Sequence, residues 1–261
     1  MLINGKQIAE NIYEKLKKEV SNLKSKPKMV VILVEKSASL SYIRQKQKWA
    51  DYVGIDFKLI KFEENVKETE LLRKIKELNN DQSVNFIVQL PLPEHINEKK
   101  IINSINPKKD IDFHPKNQKV LIDNSFVPCT PAGIIEILKY QKMDLEKVAC
   151  VIGKSNIVKP ITSLLINAAT VISCNSKTKN LRKFTTIADI IIIATVPKML
   201  KVDMIKVATI IDVFTVLDGK IYDADTELID IANNITPVPG VALTVCMLMK
   251  NTVKAYRMQK K

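Results

Sequence analysis

Glycine is scarce in this chain: 6 residues in 261, where ordinary usage is about 7%. Histidine is rarer still, with 2 residues, and there is 1 tryptophan. The four cysteines, Cys129, Cys150, Cys174 and Cys246, are far apart and form no CxxC pair. With so few histidines, that spacing argues against a zinc site and against a disulfide framework. Scattered cysteines of this kind read as reduced thiols filling small apolar positions. No uncharged apolar run approaches the ~20 residues that a membrane helix needs. The first residues, Met1-Leu2-Ile3-Asn4-Gly5-Lys6, lack the apolar core and cleavage site of a secretory signal. The expectation is a cytoplasmic protein with no membrane partner.

Acidic residues are also in the minority. Lys and Arg number 41 against 28 Asp and Glu, for a net charge of +13. Only Arg44, Arg73, Arg182 and Arg257 are arginines, and aromatics make up 5%. Nucleic-acid sites lean on arginine forks and interleaved aromatics. The excess therefore reads as a solvated lysine surface that can attract anionic substrates, with no nucleic-acid partner.

What is present is an alternation. Ile8, Ile12, Leu16 and Val20 place a helix with one buried face over 6–24. Lys28–Val34 contains a continuous apolar run, the mark of a parallel strand covered on both sides. A helix over 39–53, a strand over 57–62, a helix over 67–79 and a strand over 85–90 follow, until Pro91 and Pro93 stop regular structure. Residues 110–130 read as irregular. Pro131 then opens a helix at its first position, with Thr130 as cap. Strands are expected at 148–152, 170–173, 190–195 and 209–213, with helices near 160–168 and at 243–257. Alternating strands and helices predict an α/β fold with parallel sheets. The division expected is 1–133 plus 243–261 as one domain and 134–242 as a second, Rossmann-like domain, with a cleft between them.

Several residues in this frame can carry chemistry. Tyr42 and Lys46 are four apart, so they share a helix face, with Ser39 one turn before. A phenol and an amine there can stack a flat ligand and move a proton. Spacing alone favours a half-buried Tyr42 and a solvated Lys46. Gln89 ends a strand, where open α/β sheets bind ligands; a turn residue is an equal reading. Asp110 and Asp112 stand in an irregular segment, where either could pair with a basic ring nitrogen or amine; loop solvation or neutralisation by Lys108 and Lys109 is the plainer reading. Gly153-Lys154-Ser155 lies between a strand and a helix, a topology that presents backbone N–H groups to phosphate. It is not GxGxxG, so a plain turn competes.

Taken together, these segments resemble the FolD family of bifunctional methylenetetrahydrofolate dehydrogenase/cyclohydrolases. The resemblance spans nearly the whole chain. It runs through Ser39-x-x-Tyr42-x-x-x-Lys46-x-Lys48, Val88-Gln89-Leu90-Pro91-Leu92-Pro93 and Pro107-Lys108-Lys109-Asp110-Ile111-Asp112. It continues through Pro128-Cys129-Thr130-Pro131, Val151–Val158 and Thr236-Pro237-Val238-Pro239-Gly240. It implies NADP-dependent oxidation of 5,10-methylenetetrahydrofolate to 5,10-methenyltetrahydrofolate, then hydrolysis to 10-formyltetrahydrofolate. NAD stays open as the cofactor, and a homodimer through the second domain is implied. Lys46 would handle the proton, Tyr42 would stack on the aminobenzoyl ring, and Gln89 would hold Lys46 and the water. Asp112 would bind the pterin. Val88, Leu90, Pro239 and Gly240 would complete the folate site. Gly153, Lys154, Ser155 and Ser176 would meet NADP, with Phe214 near the nicotinamide.

The departures share one character. After Val34, Asp112, Val158, Ala168, Thr195, Val207, Val213, Tyr222, Gly240 and Val241, the family pattern has a glycine for which this chain has no residue. Ala242 also stands where the family usually has proline. Glycine serves positive φ and close backbone approach, so losses near Val158 and Val241 are expected to damage the phosphate loop and the folate lid. A deletion inside a strand would turn its faces over. An incomplete sequence, a decayed relative or a deliberate alteration each accounts for the pattern. A catalytically impaired folate- or nucleotide-binding relative is thus the alternative reading.

Overall fold

A computed structural model describes residues 3–35, 40–112, 126–143, 146–154, 158–166, 169–194, 200–206, 208–212, 228, 232, 234–235 and 241–260. The chain divides into two compact units, Asn11–Cys129 with Val245–Lys261, and Met1–Glu10 with Thr130–Thr244.

The first unit is built on a three-stranded parallel sheet in the order β2-β1-β3, from β1 (Lys28–Val34), β2 (Asp56–Phe62) and β3 (Asn85–Val88). β1 is the central strand, and Met29–Val34 are all buried, which is why its sequence is a continuous apolar run. Val30, Ile32 and Val34 point to one face, as period 2 requires. There they join Phe86 and Val88 in a core with Leu71, Ile75 and Leu78 of α3 (Glu68–Asn80) and Ile101 and Ile102 of α4 (Glu98–Ser104). Each such side chain contributes about 1.5–3 kcal/mol through burial. β2 is an edge strand, and its alternating exposure fits one covered face.

The helix α2 (Leu40–Val53) buries Ile43, Lys46, Ala50 and Val53. Three of these are ordinary core residues at helical spacing, and the fourth is a lysine. Gly54 ends the helix at φ 93°. Its N–H donates to Asp51 O, and the Ile55 N–H donates to Ala50 O at 2.8 Å. This pair of bonds is a Schellman ending that needs a residue at positive φ.

The second unit holds a five-stranded parallel sheet, β5-β4-β6-β7-β8. Its strands are β4 (Val148–Gly153), β5 (Thr170–Cys174), β6 (Ile190–Ala194), β7 (Thr209–Asp212) and β8 (Asn234–Ile235). Its helices are α5 (Cys129–Tyr140), α6 (Val158–Leu165) and α7 (Leu181–Thr185), while the last helix of the chain, α8 (Val241–Gln259), belongs from Val245 onward to the first unit. All five residues of β6 are buried. Order reverses at β4: the next strand lies on one side of it and the strand after that on the other. A sheet wound both ways from such a point binds ligands at its carboxyl ends there.

Several expectations need correction. Helix α5 starts at Cys129, so Pro131 is its third residue. Thr130 lies inside the helix, and its hydroxyl pairs with Thr244 Oγ1 at 3.1 Å instead of capping. β3 stops at Val88, two residues before the expected end, although the Gln89 N–H still donates to Ile32 O. Helices α4 and α7 were not anticipated. Lys109 does not neutralise Asp112: its ammonium donates to the backbone carbonyls of Asp81 and Val84.

All four cysteines are free and buried. No described helix is long and apolar enough to cross a membrane. None of the ten glycine gaps falls inside a described strand. The one after Val34 lies at the end of β1, and those after Val158 and Val241 lie at the first residue of α6 and of α8.

Candidate active site

Lys46 is the centre of the first unit's polar chemistry. Its exposure is 2%, which overturns the solvated surface residue that spacing alone favours. The reason is its place on the buried face of α2, beneath the end of β3. Its Nζ donates to Gln89 Oε1 at 2.7 Å. Gln89 is itself buried, and its Nε2 donates to Leu90 O at 2.8 Å. The amide is thereby held with its oxygen toward the lysine. The Tyr42 ring, half-buried, lies with its centroid 4.5 Å from Nζ, within cation–π reach.

Electrostatics tune this group in two directions. Burial pushes the Lys46 pKa below the ordinary lysine value of 10.5, while the charges of Asp112 and Cys129 act to raise it. Burial also raises the Tyr42 phenol, with Asp112 adding to the rise. A lysine with a lowered pKa near a carboxylate and a fixed amide can accept and return a proton more readily than a solvated one.

Asp112 is half-buried. Beside it on α5 is Cys129, whose thiol is driven well upward by burial first and then by the charge of Asp112. Val88 is different: its side chain is 2% exposed within the apolar core, so only its backbone faces away from that core. Leu90 packs partly against the same cluster, and the Leu90–Pro91 peptide is cis. Within this unit the structure therefore brings together Tyr42, Lys46, Gln89 and Asp112.

In the second unit, Gly153 ends β4 at the point where strand order reverses, paired in register with Ala194 at the end of β6. Its φ is 144°, and a Cβ there would stand 2.1 Å from Ala194 O. Only glycine lets the two strand ends meet. Lys154 follows, exposed, and α6 begins at Val158. Beyond β5, Asn175 and Thr178 close a turn, with Thr178 Oγ1 accepting from the Asn175 N–H at 2.9 Å and Asn175 Oδ1 accepting from the Lys177 N–H at 2.9 Å. Ser176 is exposed in this turn. The segment Asn175–Lys179 has no carboxylate but two lysines. An acidic residue after this strand would favour a free ribose hydroxyl, so its absence and the local positive charge suit a 2′-phosphate. These residues fit a phosphorylated dinucleotide. Ser155, Phe214, Pro239 and Gly240 lie outside the described residues, as does Ser39.

Two residues of the first unit escaped the sequence reading. Cys129 was visible only as part of a motif. Asn251 was not singled out, although a polar pair, Asn251-Thr252, interrupts the apolar Cys246–Met249 stretch of α8.

A two-sheet parallel α/β chain whose second sheet is wound as a nucleotide-binding domain, with a buried lysine–amide pair in the first, defines a two-domain enzyme class of NAD(P)-binding type. Residues 3–112 match the family described as tetrahydrofolate dehydrogenase/cyclohydrolase, catalytic domain, and residues 128–260 match its NAD(P)-binding domain. The chain belongs to the tetrahydrofolate dehydrogenase/cyclohydrolase family. It is 45% identical to the bifunctional protein FolD of Exiguobacterium sibiricum, over 98% of this chain and 99% of that one. That alignment runs over 275 positions, more than the 261 residues here, so the relative carries residues with no counterpart. Among solved structures, the bifunctional FolD enzyme of Campylobacter jejuni superposes with a TM-score of 0.92 at 40% identity, covering 99% of each chain. The Trypanosoma brucei dehydrogenase-cyclohydrolase, complexed with NADP and an inhibitor, gives 0.87 at 28% identity over 100% of this chain and 98% of that one.

Proposed function

We propose that the protein oxidises 5,10-methylenetetrahydrofolate to 5,10-methenyltetrahydrofolate with NADP, and hydrolyses that product to 10-formyltetrahydrofolate. The observation that carries this reading is the buried Lys46 Nζ hydrogen-bonded to Gln89 Oε1 beside the Tyr42 ring. The unit of 11–129 and 245–261 forms the folate side, and the unit of 1–10 and 130–244 the nucleotide side. NADP, when bound, supplies the hydride acceptor.

The remaining chemistry belongs to the protein. Tyr42 offers its ring as a flat face for the aminobenzoyl group. Asp112 accepts hydrogen bonds from the pterin. Val88 and Leu90 contribute backbone and apolar walls, and the family resemblance assigns Pro239 and Gly240 to folate as well. In the hydrolytic step water adds to the one-carbon cation. Lys46 takes the proton that water loses and returns it to the ring nitrogen as the C–N bond breaks. Its lowered pKa makes the free amine available for the first transfer. Gln89 holds Nζ toward the reacting carbon and orients the water. Gly153, Lys154 and Ser176 hold the dinucleotide phosphates, and the family resemblance assigns Ser155 to the same role and Phe214 to the nicotinamide.

The protein is read as a cytoplasmic homodimer joined through the second domain, on the strength of the family resemblance. The deciding experiment is an NADP-linked absorbance assay with methylenetetrahydrofolate, run beside a methenyl-hydrolysis assay on the wild type and Lys46→Met. Loss of hydrolysis with some oxidation remaining supports the reading. Full hydrolysis without the lysine sinks it, and folate binding without any turnover favours an impaired relative.

A further inference from the structure

Asn251 sits on α8 among buried residues, itself 7% exposed. Its Nδ2 reaches Ile111 O at 2.8 Å, Val127 O at 3.0 Å and Cys129 Sγ at 3.5 Å. A carboxamide nitrogen carries two N–H donors, so the two carbonyls take the direct bonds and the soft sulfur is the weaker third contact. The acceptors have one thing in common. The Ile111 carbonyl belongs to the peptide that supplies the Asp112 N–H. Because a peptide is planar, holding that oxygen fixes the plane from which the Asp112 side chain departs. Cys129 acts on the same spot, with Sγ donating to Ile111 O at 3.6 Å while the thiol feels the charge of Asp112. Asn251 thus grips the backbone before Asp112, the backbone before Pro128 and the thiol that donates to the same Ile111 carbonyl. It reaches neither Lys46 nor Gln89 by any hydrogen bond.

The geometry points to Asn251 as a positioning residue of the folate site, one that sets where the Asp112 carboxylate stands by anchoring the Ile111–Asp112 peptide. The inference rests on the reading of Asp112 as a folate ligand. Asn251 touches no reacting group in this account; it acts through Asp112.

A core asparagine with no such role would also be costly to lose, since two buried carbonyls would be stranded. The test must therefore separate position from stability. Asn251→Ala, Asp112→Asn and the double variant are purified, their folded fractions are measured by thermal melting, and KM is determined for methylenetetrahydrofolate and for NADP. The expected result is a rise in the folate KM of about tenfold for Asn251→Ala, in keeping with the loss of one or two buried hydrogen bonds, with the NADP KM unchanged. In the Asp112→Asn background the same change adds less than about twofold, because residues acting through one group are not additive. Asn251→Ser, which keeps a shorter donor, recovers part of the loss and replaces the alanine variant if that one does not fold. A fall in activity that tracks the folded fraction with both KM values unchanged overturns the inference. So does a folate effect that is fully additive with Asp112→Asn. A wild type without turnover of methylenetetrahydrofolate defeats the folate reading itself, and that control is read first.

Discussion

The Lys46 ammonium and the Gln89 side-chain oxygen, from a helix and from the end of a strand 43 positions later, meet at 2.7 Å inside the protein. Every other buried residue of that helix face is apolar or a small alanine. A charge in such a place is kept only if a polar partner is fixed against it, and Gln89 is fixed by its own bond to Leu90 O.

Removing the partner tests the pair. Gln89→Ala strands the ammonium, which lowers its pKa further and costs about 1–3 kcal/mol of stability. The expected outcome is a fall of at least about tenfold in hydrolysis. Gln89→Glu should instead raise the Lys46 pKa by placing a charge beside it. A rate profile against pH for both variants reads this directly. Equal profiles in the two would show that Gln89 does not govern Lys46.

Lys46 also predicts a stability trend with pH. Burial holds its folded pKa below the unfolded value of 10.5. Between those two values the unfolded chain binds the proton and the native chain does not, so stability rises with pH across that window. Below the folded pKa both states are protonated, and the native state carries the full burial penalty. Lys46→Met abolishes this dependence. Denaturant midpoints for wild type and Lys46→Met, compared from neutral pH toward 10.5, should show the variant's relative advantage shrinking. A constant difference would contradict the assignment.

Gly153 predicts a conformational failure. Gly153→Ala puts a Cβ 2.1 Å from Ala194 O at φ 144°. The strand ends must separate, at a cost of about 1–3 kcal/mol for the backbone strain alone. The variant is expected to melt lower and to lose NADP affinity more than folate affinity. Cofactor titration with the melting curve decides it, and a variant that binds NADP normally would count against the nucleotide site.

The turn after β5 predicts cofactor choice. Ser176→Asp places a carboxylate where Lys177 and Lys179 now stand without acidic neighbours. It should disfavour the 2′-phosphate and shift the NADP-to-NAD preference by about tenfold or more toward NAD. The ratio of kcat/KM for the two cofactors measures this; no shift would move the 2′ contact elsewhere.

The thiols predict silence. All four are buried, and Cys129 and Cys150 are raised by burial. A thiolate reagent should find no rapidly reacting group in the native protein and all four after denaturation. A fast native thiol would mean that one of the four is exposed.

Much of the architecture was legible because both sheets are parallel and buried: β1 and β6 are continuous apolar runs that no edge strand would carry. Helix α4 was missed because its seven residues are too few for periodicity, and Lys99-Lys100 hide its apolar pair. The site was half legible. Tyr42 and Lys46 share a face by spacing, but spacing does not say that the face is the buried one. That depends on Ile43, Ala50 and Val53, which set the helix's inner side. Asn251 was harder still, because its partners lie more than 120 positions away.

The unit that contains Lys46 is assembled from 11–129 and 245–261, with everything between belonging to the other. A ribosome therefore finishes the middle of the molecule before it delivers the last piece of the beginning. The carbonyls of Ile111 and Val127 wait for Asn251 through more than a hundred residues of synthesis. The usual order, in which the first domain made is the first to fold, cannot run to completion for this unit: residues 11–129 are made first, yet the contacts of Asn251 with Ile111 and Val127 form only after the chain's last helix is made.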